Sequence, residues 1–127
     1  MIVVDTSALM AIVLGEPESE ACIAALEAEG EVLISAGTLA EALIVSGRRG
    51  VADQVDKLVT GLALTVAPVT ESTARQVSDA YAAWGKGAHP AGLNLGDCFA
   101  YALAKAGDCP LLFIGDDFAR TDLKAAL

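Results

Sequence analysis

Four short apolar runs recur along this chain with helix-length segments between them: Ile2–Val4, Val32–Ile34, Leu64–Ala67 and Leu111–Ile114. Runs this brief, aliphatic and rich in β-branched residues, read as strands covered on both faces and not as buried helices. A parallel neighbour is reached only through a long crossover, so strands that alternate with helices pair in parallel. The pattern predicts an α/β chain, a three-layer α/β/α sandwich with a mostly parallel central sheet.

The segments between the strands carry helix signals. Thr6 or Ser7 can cap a helix reaching about Leu14, and Pro17 suits the first turn of a second helix ending near Glu29. Ser35 or Thr38 starts a third helix that reaches Ser46, and Val51 to Gly61 reads as a fourth. Thr70–Trp84 and Asn94–Ala106 complete the set, with the loop GKGAHPAG (residues 85–92) between them. No repeat, low-complexity tract or linker interrupts the 127 residues, which read as one domain.

Composition narrows the function. Hydrophobic residues make up 54% of the chain, yet no apolar run approaches the ~18 residues that span a bilayer. No basic stretch precedes the first apolar run, so a signal peptide is not expected and the cytoplasm is the expected compartment. Cys22, Cys98 and Cys109 are odd in number and lack C-x-x-C spacing, which fits reduced thiols. His89 is the sole histidine and sits in the loop, where a surface position is expected; a Ser-His-Asp triad would need His89 itself as base. The net charge of −9 argues against a nonspecific nucleic-acid binder with a basic face. It fits a protein that gathers carboxylates around cations or binds a basic partner. The apolar excess also predicts a dimer or a tight partner complex.

Most acidic residues sit in polar neighbourhoods, but a few do not. Asp5 is the lone charge in residues 1–15, Glu41 in the segment AGTLAEALIVSG, and Asp97 in AGLNLGDCFAYALA. Asp116 and Asp117 directly follow the strand-like PLLFIG. An ionised carboxylate buried without a partner costs several kcal/mol, and those three apolar segments hold no lysine or arginine. A divalent cation would meet the need of all of them at once, and an all-oxygen donor set points to Mg²⁺ or Mn²⁺ over zinc. The bland alternative is helix capping: Thr38–Glu41 fits S/T-x-x-E, Asn94–Asp97 resembles it, and Asp5 could support its own turn.

With these residues in view, the chain resembles a known family. The opening D-T-S-A-L, the lone Glu41, L-N-L-G-D-C around Asp97 and L-L-F-I-G-D-D-F-A-R-T-D near the end look like a PIN-domain ribonuclease, more narrowly a VapC-type toxin of a bacterial toxin–antitoxin pair. The resemblance covers essentially the whole chain. It implies metal-dependent endonucleolytic cleavage of RNA by a carboxylate cluster holding Mg²⁺ or Mn²⁺. Asp5 and Asp97 correspond to the principal metal ligands and Glu41 completes the set. The fourth acid falls in GDDF, where Asp117 is favoured over Asp116. Ser7 corresponds to the residue that orients Asp5, and Asn94 takes a similar place beside Asp97. Arg48, Arg49, Lys86 and Arg120 are the available contacts for an RNA backbone. The resemblance further implies a homodimer and a small antitoxin that inserts a segment into the site.

Two other readings compete. A PIN-like fold kept for protein contacts would use the same acids as caps only. A phosphoryl-transfer domain could use Asp5 as nucleophile, but it would want a lysine to balance the phosphate. Lys105 lies about two turns beyond Asp97 along the predicted helix.

Overall fold

The computed structural model describes residues 1–127. In chain order the elements are β1 (Ile2–Val4), α1 (Thr6–Val13), α2 (Ser19–Glu27), β2 (Val32–Ser35), α3 (Ala36–Arg48), α4 (Ala52–Gly61), β3 (Thr65–Ala67), α5 (Glu71–Trp84), α6 (Leu95–Gly107) and β4 (Leu111–Leu112). A short 3₁₀ turn, Phe118–Arg120, follows β4. The strands form one sheet in the order β3-β2-β1-β4, with every pairing parallel.

Alternation along β1 separates the two cores. Successive side chains of a strand point to opposite faces. Ile2 and Val4 join Leu9, Cys22, Leu26, Ile34 and Val55 on the face covered by α1, α2, α3 and α4. Val3 joins Leu111, Val77, Ala80, Leu93, Tyr101 and Ala104 on the face covered by α5 and α6. These are the three layers expected from the strand–helix alternation. All three cysteines are free and buried within them.

The sheet order decides where a site can form. From β1 the chain crosses to β2 and then β3 on one side, and β4 returns to the other side of β1. The order reverses at β1, and in open parallel sheets a crevice forms beyond the carboxyl ends of the strands at such a reversal. Asp5 follows β1 directly, and Gly115-Asp116-Asp117 follow β4.

Several element boundaries differ from those read in the sequence. The cap of α1 is neither Thr6 nor Ser7 but Asp5, whose side chain accepts from the Ser7 backbone N–H. Helix α2 begins at Ser19 and not at Pro17. Ser35 caps α3, so Thr38 lies inside the helix, fully buried, and the Thr38–Glu41 capping box does not form. Helix α3 also runs past Ser46 to Arg48. β4 stops at Leu112 because the Ile114 N–H leaves the ladder and donates to Ser7 Oγ at 3.0 Å. The tail then turns back along β4: Leu111 N–H donates to Lys124 O, and Ala126 N–H donates to Leu111 O. That covers the sheet edge β4 would otherwise expose. His89, expected at the surface, is half-buried; its ring meets Trp84 edge-on at 4.7 Å, and its Nδ1 accepts the Ala91 N–H.

Candidate active site

The segment leaving β1 builds the centre of the crevice. Asp5 is 4% exposed and caps α1 through one carboxylate oxygen. That oxygen, Oδ2, accepts from Ser7 N–H at 3.1 Å and from Ser7 Oγ–H at 2.7 Å. The other, Oδ1, is buried with no hydrogen-bond partner at all. Burial raises the Asp5 carboxyl above its ordinary range; the Ser7 bonds oppose that rise and the Glu41 charge adds to it. Ser7 has a second task. The same hydroxyl oxygen that donates to Asp5 accepts the Ile114 N–H, so it ties the exit of β4 to the start of α1.

Helix α6 supplies Asp97. Asn94 caps the helix by accepting the Asp97 N–H at 2.8 Å, and Asp97 Oδ2 accepts the Asn94 N–H at 3.0 Å. The capping box read in the sequence is therefore real. It does not exhaust Asp97. This carboxyl is pushed up to about 6, first by burial and then by the negative charges of Asp5, Glu41 and Asp117, against the Asn94 bond that lowers it. Capping and membership of an acidic cluster coincide in one side chain.

Glu41 reaches the cluster from α3. Its Oε1 accepts from Thr6 Oγ–H at 2.7 Å. Helices α3 and α6 come close because glycines face the contact. A methyl group at Gly37 would overlap the Phe99 ring, and one at Gly96 would overlap Glu41 Oε2. Thr6 and Gly96 were not singled out in the sequence. Thr6 reads there only as a possible cap, and 35 residues separate it from Glu41.

The structure thus brings Asp5, Glu41 and Asp117 within electrostatic reach of Asp97, and Glu41 within reach of Asp5. Asp117 lies at the exposed rim, carried on the segment that Ser7 holds through Ile114. Asp116 is also exposed. Arg120 sits three residues beyond Asp117 and donates from Nη1 to Pro90 O, which joins the tail to the 85–92 loop. Lys86, Arg48 and Arg49 are exposed, and Arg48 lies in the last turn of α3. Lys105 Nζ is engaged with Asp122 at 2.6 Å, so the lysine considered for balancing a phosphate already has a partner.

The cluster is open. No three His, Cys, Asp or Glu side chains stand close enough to make a ready-made ligand group for a metal ion. Like charges spread, and Asp5, Glu41 and Asp97 each have one oxygen held by a neighbouring hydroxyl or backbone N–H. The donor chemistry nevertheless fits a hard divalent cation: every candidate ligand is a carboxylate, and Asp5 Oδ1 is a buried acceptor with nothing donating to it. The two cavities of the molecule, about 290 Å³ beside Trp84 and Tyr101 and about 430 Å³ beside Tyr81, Leu95 and Phe99, include none of these acids in their walls.

The family model for the PIN domain matches residues 2–124. The chain is 42% identical to Ribonuclease VapC30 of Mycobacterium tuberculosis over 124 residues, with 95% of each chain covered. It is 41% identical to Ribonuclease VapC42 of the same organism over 128 residues, with 98% of each covered. Among solved structures, the fold is similar to M. tuberculosis VapC20, a sarcin–ricin loop cleaving toxin, with a TM-score of 0.79 at 17% identity, covering 97% of this chain and 96% of that one. It is also similar to a chain of a toxin–antitoxin complex from Klebsiella pneumoniae, with a TM-score of 0.72 at 18% identity, covering 96% and 93%.

Proposed function

The chain belongs to the PIN domain family, and from that premise we propose that it is an endoribonuclease acting as the toxin of a type II toxin–antitoxin pair, with residues 1–127 forming a single nuclease domain. The observation that carries this reading is the gathering of unpaired carboxylates at the reversal of the sheet, with Asp5 Oδ1 buried and unbonded.

The proposed ligands of a divalent metal, Mg²⁺ or Mn²⁺, are Asp5, Asp97, Glu41 and Asp117; Asp116 is the less favoured candidate for the fourth place. Such an ion, when bound, supplies a water of lowered pKa and neutralises charge on the scissile phosphate. The protein's own residues do the positioning. Ser7 fixes the rotamer of Asp5 and anchors the strand exit that carries Asp117. Asn94 fixes Asp97 at the first turn of α6, where free N–H groups and the helix dipole favour an anion. Arg120, Lys86, Arg48 and Arg49, all exposed, are the proposed contacts for the RNA backbone. Hydrolysis by water leaves 5′-phosphate and 3′-hydroxyl ends, because the RNA 2′-hydroxyl takes no part.

The partners proposed are RNA as substrate, a cognate antitoxin whose basic side chain enters among the carboxylates, and a second copy of the chain in a homodimer. No helix is long and apolar enough to cross a membrane, and the cytoplasm is the proposed compartment.

The test is cleavage of end-labelled RNA by wild type, Asp5→Asn and Asp97→Asn, with Mg²⁺, with Mn²⁺ and with chelator. Metal-dependent internal cuts that both variants abolish support the reading. Equal cutting by wild type and both variants overturns the site. Folded protein that never cuts RNA, yet binds a partner whichever variant is used, favours the rival, a non-catalytic PIN-like binding module.

A further inference from the structure

Glu41 differs from the other acids of the cluster in how it is held. Asp5 and Asp97 are fixed by their own helix caps, within two or three residues of sequence. Glu41 lies mid-helix in α3, with a long flexible side chain and no salt bridge. Its orientation has to come from outside its own element.

Resting on the metal-centre reading above, we propose that Thr6 and Gly96 are positioning residues that together set the Glu41 carboxylate against Asp97. Thr6 is the first residue of α1, next to Asp5, and only 7% exposed. Its hydroxyl carries one proton and has two acceptors within range, Glu41 Oε1 at 2.7 Å and Thr38 O at 3.4 Å. The short, charge-assisted bond takes the proton. That hydroxyl makes the one side-chain hydrogen bond Glu41 has. Thr6 is β-branched and restricted at χ1, so the donor has little freedom to follow a wandering carboxylate.

Gly96 acts from the opposite side. It occupies the first turn of α6, one residue before Asp97, and the space a side chain would fill there is taken by Glu41 Oε2. One oxygen of Glu41 is therefore held by the first turn of α1 and the other lies against the first turn of α6. The residue ahead of Thr6 and the residue after Gly96 are themselves site acids. A shift at either contact moves Glu41 relative to both.

The experiment measures Mn²⁺ affinity by titration calorimetry alongside RNA cleavage and thermal unfolding. Thr6→Val removes the hydroxyl but keeps the shape, and it is expected to weaken Mn²⁺ binding about 10-fold, the scale seen when groups that orient metal ligands are removed. Thr6→Ser keeps the donor and is expected to retain wild-type affinity. Gly96→Ala is expected to weaken Mn²⁺ similarly without lowering the unfolding temperature, because alanine is the better helix former and the displaced group is the tip of a flexible side chain. In a Glu41→Ala background, adding Thr6→Val is expected to change nothing further. The proposal is overturned if Thr6→Val matches wild type, if Thr6→Ser loses as much as Thr6→Val, or if Thr6→Val has its full effect without Glu41. Asp5→Asn separates the two levels. If it binds Mn²⁺ like wild type, the metal centre itself falls, and the positioning role with it; if it loses Mn²⁺ while Thr6→Val does not, only the positioning role falls.

Discussion

Asp97 and Asp122 are the same side chain in opposite circumstances. Asp122, on the tail after β4, accepts from Lys105 Nζ and from Tyr101 O–H, each at 2.6 Å, and these partners hold its carboxyl below the usual range. Tyr101 in turn accepts from Trp84 Nε1–H at 2.9 Å, so the tail is tied through α6 to α5. Asp97 has no cation within salt-bridge distance and sits among three other acids, which with its burial push it up to about 6. Where this fold needs only to fasten two segments, it provides an acid with a lysine and a hydroxyl. At the ends of the strands it provides caps and more negative charge. Acids left that way cost stability, and the arrangement becomes favourable only when a cation joins it.

The largest expected effect contrasts the two acids directly. Asp97→Asn is expected to lower metal-dependent RNA cleavage by more than about 100-fold, beyond the usual effect of losing a group that merely orients a ligand. Asp122→Asn is expected to leave the cleavage rate close to wild type. Initial rates on one labelled RNA at saturating metal read both; equal losses would erase the distinction drawn here.

Stability is expected to move the opposite way. The Asp97 carboxyl rises from its ordinary 3.8 to about 6 in the folded protein. Between those values the folded chain holds a proton that the unfolded chain has released, so stability falls as pH rises through that window and the full penalty stands above about 6. At face value the difference is about 3 kcal/mol, and solvent screening at this part-exposed group reduces it to about 1 kcal/mol. Asp97→Asn is accordingly expected to unfold at higher denaturant than wild type at pH 7.5 in chelator and to lose that advantage near pH 4. Urea titrations at the two pH values check it. A constant gap at both would assign the gain to something other than the charge.

Two smaller tests probe the fastened side. Tyr101→Phe leaves Trp84 Nε1–H without its acceptor and Asp122 Oδ1 without its donor, and a loss of about 1 kcal/mol in urea unfolding is expected. Cleavage is expected to persist. Lys105→Met removes an ion pair whose side chains are 56% and 42% exposed, and a change within about 0.5 kcal/mol is expected. If Lys105→Met proved the more damaging of the two, the fastening would be electrostatic in origin and the tyrosine incidental.

Much of this was readable before any coordinates. The four strands could be read from short β-branched runs, because a strand buried on both faces leaves few other compositions open. Asp5, Glu41 and Asp97 stood out because each is the lone charge in an apolar stretch, and an unpaired charge among apolar neighbours asks for an explanation wherever the chain goes. What could not be read was how the acids are held. Thr6 looked like a cap and proved to be a donor to Glu41, a bond spanning 35 residues. Ser7 resembled a support for Asp5, and it is also the hook for Ile114 across 107 residues. The end of β4 differs from the sequence reading for that reason: local propensity carries a strand through Phe113 and Ile114, and a hydroxyl from the other end of the chain diverts the backbone.

By itself, then, the order of residues determined the layer architecture, the parallel sheet and the identity of the odd acids, since patterning and charge isolation are local properties of a chain. Only the folded molecule decided that Asp5 caps its own helix with one oxygen while the other stays unbonded, that the Asp117 charge bears on Asp97, and that Glu41 lies between Thr6 and Gly96. Those depend on which helix starts are brought face to face where the sheet reverses, and contacts between distant segments leave no periodicity in the sequence to read.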